Sequence, residues 1–232
     1  MKVNTCTTCT TFCFRSTAEA YETLIPYILK HGYTSTSERG LTKFLPYTLI
    51  EITNPKLKRI PNKYPLGKKA VNDYVQQFLH GSENIFKYTY HERIFRYAPT
   101  GDCCKDNLCK AINQIDYVVD KLTENPNTRR AIITVWDPTI DTKSEDVPCL
   151  SLIHFQIINN ALYMQTIMRS QDALLAFPSN MLAFIELGEM VARHVGQHLD
   201  CNLQLKRLIH YVFNLHIYVE RDKDYLQNFT NL

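Results

Sequence analysis

Apolar residues recur along the chain in two rhythms, one of about 3.6 residues and one of two, which mark helices and strands respectively. Ser16 followed by Glu19 has the form of a capping box. Behind it Ala18, Tyr21, Leu24, Ile25, Ile28 and Leu29 fall on one helical face, and Gly32 offers a stop. Pro26 works against this helix, because proline removes a backbone donor. Residues 46–53 (PYTLIEIT) alternate as a strand closed by Asn54-Pro55, and residues 68–80 predict a helix stopped by Gly81.

Residues 97–107 read as a loop, after which Leu108, Ile112, Ile115, Val119 and Leu122 predict an amphipathic helix ending at Asn125-Pro126. Residues 131–136 (AIITVW) predict a buried strand and residues 137–148 a polar loop. Residues 151–158 and 161–169 form two strands about an Asn159-Asn160 turn. Pro178-Ser179-Asn180 opens a helix to about residue 195, apolar almost all round and therefore buried. A last strand spans roughly 208–219. Residues 1–15, rich in Thr and Cys, are expected to be poorly structured, with 16–232 a single domain. The order of elements predicts an α+β fold, helices packed on a mixed sheet.

Composition narrows the picture. At 232 residues with 45% hydrophobic content, the chain can bury a sizeable core. A net charge of +3 without like-charge blocks gives no reason to expect a nucleic-acid partner. No apolar run of about 18 residues predicts a membrane span. The start, MKVNTCTTCTTFCF, lacks a signal-peptide apolar core, so the expected location is cytoplasmic and the eight cysteines are expected to be mostly reduced. Cys6, Cys9 and Cys13 can be read as metal ligands, with Cys103, Cys104 or Cys109 as a fourth, but three ligands in a Thr-rich run fall one short of a closed site and no metal is assigned.

Cys149, between a polar loop and a strand, is a candidate nucleophile if positive charge lowers its pKa; Arg129, Arg130 and Arg169 lie at strand ends that the sheet can gather near it. Free cysteine is more often a small core residue. Arg169 beside Ser170 suits a phosphate dianion, or a salt bridge to Asp172. Asn180 can cap a helix or read a base edge. His216 and Tyr218, two apart on a strand, share a face and can bind a sugar hydroxyl or simply pair with each other.

The order NPNTRRAIITVWDP, VPCLSLIHFQI, RSQDALLAFPSN and NLHIYVE resembles the thymidylate synthase family, most closely its short archaeal-type and nucleotide-hydroxymethylase-like branch. The resemblance is strong from Asn125 to Tyr218 and fainter from Ala20 to Tyr97, through ERGLT, ITNP, FLHG and YTYHERI. It implies a large mixed sheet flanked by helices and dimerising through the sheet. It also implies Cys149 as the thiolate that adds to C6 of a pyrimidine, with 5,10-methylenetetrahydrofolate as co-substrate. By the same resemblance Arg169, Ser170 and Arg39 bind phosphate, and Arg129 and Arg130 reach the phosphate site of the second subunit of a homodimer. Asn180 would bond O4 and N3–H of uracil, which leans toward dUMP over dCMP. His216 and Tyr218 would bind the 3′-hydroxyl, Asp172 the pterin, and Tyr90 the water that helps remove the C5 proton.

The sequence also departs from the family pattern. Where the family carries a glutamate seven residues before the glycine of its FLxG segment, this chain has Tyr74, with Asp73 next to it as the candidate substitute. Trp136 is the only tryptophan, so the tryptophans of the usual folate pocket are missing, and His154 and Asn214 stand where long members carry Gln and Asp. The chain ends at YLQNFTNL without the apolar tail that closes over folate in longer enzymes. A weaker lid favours hydration of the one-carbon intermediate, so a pyrimidine 5-hydroxymethylase is the alternative to a methylating enzyme. A nucleotide- or RNA-binding protein without turnover is a third reading, against which the thiol speaks.

Overall fold

The structure, a computed structural model, describes residues 2–5, 9–57, 60–82, 89–98 and 111–230. In chain order the first elements are β1 (Lys2–Thr5), β2 (Thr10–Phe14), α1 (Thr17–His31), β3 (Tyr33–Ser37) and β4 (Gly40–Ile52). They are followed by α2 (Gly67–His80), α3 (Tyr90–Phe95), α4 (Gln114–Glu124), β5 (Ile132–Thr134) and α5 (Pro138–Asp141). The rest is β6 (Leu150–Ile158), β7 (Ala161–Met168), β8 (Gln171–Asp172), α6 (Phe177–His198), β9 (Leu205–Tyr218) and α7 (Lys223–Thr230).

The strands form one mixed sheet in the order β1-β2-β4-β9-β7-β6-β5, with β3 paired to β4 and β8 to β9. β2 runs parallel to β4, and β7 and β8 run parallel to β9. On β9, Leu208, His210 and Val212 point into the core while Ile209, Tyr211 and Phe213 face the opposite side, where Phe213 is 44% exposed. Helix α6 explains the packing: it is buried nearly all round, and Gly188 lets it approach the sheet, since a Cβ there would lie 2.9 Å from Leu205. Ser16 caps α1 as its sequence predicts, and Pro26 is accommodated inside it.

Four expectations are corrected. Residues 1–15 are not simply unstructured: Thr10–Phe14 is a core strand, with Phe12 and Phe14 buried against α1. Alternating burial needs only those two apolar residues, and pairing with β4 supplies the rest. The helix predicted from Leu108 begins at Gln114, capped by Asn113, because Ile112 instead bridges to Tyr97. Leu108, residues 99–107, Cys6 and Cys109 lie outside the described residues. The polar loop 137–148 contains α5, whose Asp141 forms a buried ion pair with Arg93 at 2.7 Å. The strand over residues 46–53 starts earlier, at Gly40, as the second arm of a hairpin with the exposed β3.

Under the sheet centre lies a buried polar chain. His210 is fully buried, its Nδ1 2.7 Å from the Thr166 hydroxyl and its Nε2 2.6 Å from Oε1 of Gln171. Burial pushes its pKa down to about 3, so both partners bond a neutral ring. An unfolded histidine titrates near 6.5, so between these values the unfolded chain takes the proton and the folded chain does not. This contribution to stability is complete above pH 6.5 or so and is lost as pH falls toward 3. The thermal midpoint of the parent is therefore expected to fall more steeply from pH 6.5 to pH 4 than that of a His210→Asn variant. Parallel curves in a calorimetric pH series would show that His210 contributes nothing to that slope.

Candidate active site

At the carboxyl ends of β7 and β8 and the start of α6, a cavity of about 930 Å³ opens beside the thiol of Cys149. Its walls come from distant segments: Arg39 from the β3–β4 turn, Tyr74 from α2, Tyr90 from α3, Asn180 from α6, and His216 and Tyr218 from β9. Arg169, Ser170 and Asp172 follow β7 on the same wall.

Arg169 ties the thiol's segment in place. Its backbone N–H donates to the carbonyl of Cys149 at 2.8 Å. Its Nε donates to the carbonyl of Pro148 at 3.0 Å and its Nη2 to that of Val147 at 2.9 Å. The salt bridge to Asp172 that the sequence allows does not form. Asp172 pairs with Arg221 at 2.6 Å, while its other oxygen accepts the backbone N–H groups of Leu174 and Leu175, each at 2.9 Å. Arg221 also stacks on Tyr218, 4.0 Å from the ring centroid, and bonds Asp222. Sequence reasoning missed Arg221; its partner Asp172 lies 49 positions away, beyond any local spacing signal.

Cys149 is half-buried, and its thiol pKa is raised, contrary to the expectation that neighbouring charge lowers it. Burial is the largest cause; Arg169 and then Arg39 pull it down, and Asp146 pushes it up. Tyr90 accepts the backbone N–H of Leu150 through its hydroxyl at 3.2 Å, which anchors it one residue from Cys149. His216 lies 3.3 Å from the Ser170 hydroxyl and its pKa is lowered, chiefly by burial and against the pull of Asp172. His216 and Tyr218 meet edge to face at 4.9 Å.

Asn180 is not a cap but a buried residue in the first turns of α6, whose N-cap is Ala176. Its Oδ1 accepts a short hydrogen bond from the Tyr74 hydroxyl. Asp73, the substitute carboxylate expected from the sequence, is exposed and does not line the cavity. One residue along a helix turns a side chain by about 100°, so Tyr74 and not Asp73 faces inward. Arg129 and Arg130 are also absent from this wall. They are exposed and line a separate hollow with Lys121, Asn125, Asn127 and Thr128. Among the described residues no cluster of three or more metal-ligating side chains occurs, and no helix is long and apolar enough to cross a membrane.

The arrangement offers a thiol, guanidinium groups for an anion, a carboxamide for a heterocycle edge and a polar pair for hydroxyls. A family model described as thymidylate synthase matches residues 74–230. A protein of Methanocaldococcus jannaschii that bears the name "Putative thymidylate synthase" is 46% identical over 92% of this chain and 93% of its own. Proteins of the same name from Methanopyrus kandleri and Methanosarcina barkeri are 32% and 33% identical, over 89% and 78% of this chain and 91% and 80% of theirs.

The balance of burial against arginine predicts how the free thiol behaves. Alkylation of Cys149 by iodoacetamide, followed by peptide mass against pH, is expected to show a midpoint above that of an ordinary thiol. An Arg169→Ala variant should move the midpoint higher still and slow alkylation at pH 8, whereas an unchanged or lower midpoint would show that the guanidinium does not act on the sulfur.

Proposed function

The chain belongs to the thymidylate synthase family, whose members are one-carbon transferases acting on pyrimidine nucleotides, and we propose that it methylates C5 of dUMP with 5,10-methylenetetrahydrofolate as co-substrate. The reading is carried by the convergence of Cys149, Arg39, Arg169, Asn180 and the His216–Tyr218 pair on one cavity. In this reading the Cys149 sulfur adds to C6 of uracil, and the electrons of the C5=C6 bond move onto O4, leaving C5 nucleophilic. The co-substrate supplies the one-carbon unit and, for a methyl product, the hydride. Loss of the C5 proton to a water beside Tyr90 would expel tetrahydrofolate and leave a methylene on C5; hydride from the tetrahydrofolate, which becomes dihydrofolate, would complete the methyl group, and loss of the Cys149 sulfur from C6 would free the product.

Arg169 has the donors for a phosphate as well as its structural bonds. Guanidinium has five N–H groups and two are in use, so three remain for a dianion, beside the Ser170 hydroxyl and Arg39. His216 and Tyr218 offer the sugar hydroxyl an edge already fixed by Ser170 and Arg221. Asp172 fits a pterin N–H only by sharing: the oxygen bonded to Arg221 keeps one acceptor position. The exposed Arg129 and Arg130, outside the cavity of their own chain, fit a role in the phosphate site of a second subunit of a homodimer.

A 5-hydroxymethyl product is the second reading, because Trp136 does not line the cavity and its aromatic wall is made of the more polar tyrosines. Incubation with dUMP and methylenetetrahydrofolate should give a product of thymidylate mass with stoichiometric dihydrofolate. Hydroxymethyl-dUMP without dihydrofolate would replace the first reading by the second. A Cys149→Ser variant should lose turnover by roughly 10³-fold or more and form no covalent adduct with 5-fluoro-dUMP.

If Arg129 and Arg130 act across a dimer, inactive Arg130→Ala and inactive Cys149→Ser proteins should complement when mixed. Statistical re-pairing would restore up to about a quarter of parental activity per site. No recovery after dissociation and reassociation would place the arginine pair outside the active site.

A further inference from the structure

We infer that Tyr74 sets the base specificity of the site by holding the Asn180 carboxamide in one orientation, oxygen toward the phenol and N–H₂ toward the cavity. The inference rests on the proposal that this cavity binds a pyrimidine nucleotide. A carboxamide is two-faced: turned one way its nitrogen donates to a ring carbonyl, and turned over its oxygen accepts from an exocyclic amine. Nothing in asparagine itself chooses between the two. Here the choice is made by a neighbour.

The Tyr74 hydroxyl donates to Oδ1 of Asn180 across the gap between α2 and α6. Asn180 is only 5% exposed, so its amide cannot exchange partners freely with water. Among the described residues its Nδ2 has no hydrogen-bond partner, and it is not sealed off from the cavity, which leaves the N–H₂ as the group on offer to a ligand. Turning the amide over would set its N–H₂ against the phenol hydroxyl, and the phenol would have to rotate to accept.

Tyr74 is itself held. Its ring packs on Phe78, whose own ring meets Phe184 of α6 and Tyr90 beside the thiol. The phenol therefore approaches Asn180 from a fixed direction. A 4-oxo pyrimidine presents an acceptor to the free N–H₂, with N3–H able to reach the remaining lone pair of Oδ1. A 4-amino pyrimidine sets donor against donor at the same place and leaves buried polar groups unpaired, the situation in which sites discriminate most strongly. Tyr74 is thus a positioning residue that acts through Asn180.

The test is equilibrium binding of dUMP and dCMP by calorimetry to the parent and to a Tyr74→Phe variant, which keeps the ring and its packing. The parent is expected to prefer dUMP by tenfold or more, and the variant to bring the two affinities within about threefold. Thermal shift by each nucleotide gives the same ratio independently, and the variant's unliganded midpoint shows that it folds. A variant that keeps the parental ratio overturns the inference, as does a parent that prefers dCMP; both leave a nucleotide site standing. A parent that binds neither nucleotide overturns the proposed function and this inference with it.

Discussion

Three hydrogen bonds from one arginine fix the position of the candidate nucleophile. The segment before Cys149 leaves α5 as turn and bend, with no ladder of its own, until β6 begins at Leu150. Arg169, at the end of the neighbouring β7, supplies the missing order by bonding the carbonyls of residues 147, 148 and 149 in succession. The bond to residue 149 is made by the backbone N–H, and the other two by the guanidinium, whose donors, unlike those of lysine, are set in a rigid plane. The same plane then presents its remaining donors outward. Position of the sulfur and position of the proposed anion site therefore both depend on Arg169.

This coupling explains why a thiol with a raised pKa is still a credible nucleophile. Burial works against the thiolate, while Arg169 and Arg39 work for it. A half-buried sulfur retains the nucleophilicity that accompanies a high pKa, and the proposed attack needs the thiolate only once substrate is in place. The cost falls on the fraction ionised in the free enzyme; the gain is protection from stray electrophiles and oxidants.

Much of the fold was legible because it is local. The helix cap at Ser16, the Asn159-Asn160 turn and the apolar girth of α6 each lie within a few residues of what they specify, and each appears where its chemistry predicts, although Glu19 closes on the Arg15 N–H and not on that of Ser16 as a full capping box would. β2 was not legible although its Thr and Phe residues favour strands, because the place of Thr10–Phe14 in the sheet is set by its partners β1 and β4, which no local pattern reveals. At the site, motif order located the cavity wall from Cys149 to Tyr218, since β6, β7, β8 and β9 are hydrogen-bonded neighbours or near neighbours. It failed where rotation about a helix decides, at Asp73 against Tyr74, and where a tertiary pair overrides a sequence neighbour, as Arg221 does when it takes Asp172 from Arg169.

Arg221 has a consequence for how the two halves of the cavity communicate. Its guanidinium bonds Asp172 and Asp222 and stacks on Tyr218, so a single side chain touches both the carboxylate proposed for the pterin and the ring proposed for the sugar. Its side chain is 41% exposed, but its partners Asp172 and Asp222 are only 16% and 2% exposed, so withdrawing the cation would leave a buried carboxylate uncompensated. Asp172 is less free: two backbone N–H groups hold its other oxygen and fix the carboxylate plane. A ligand N–H that takes the remaining acceptor position of Oδ2 therefore shares Asp172 with Arg221, and neither group has to leave its place. Through Arg221 the carboxylate at position 172 and the Tyr218 ring are held in one fixed arrangement.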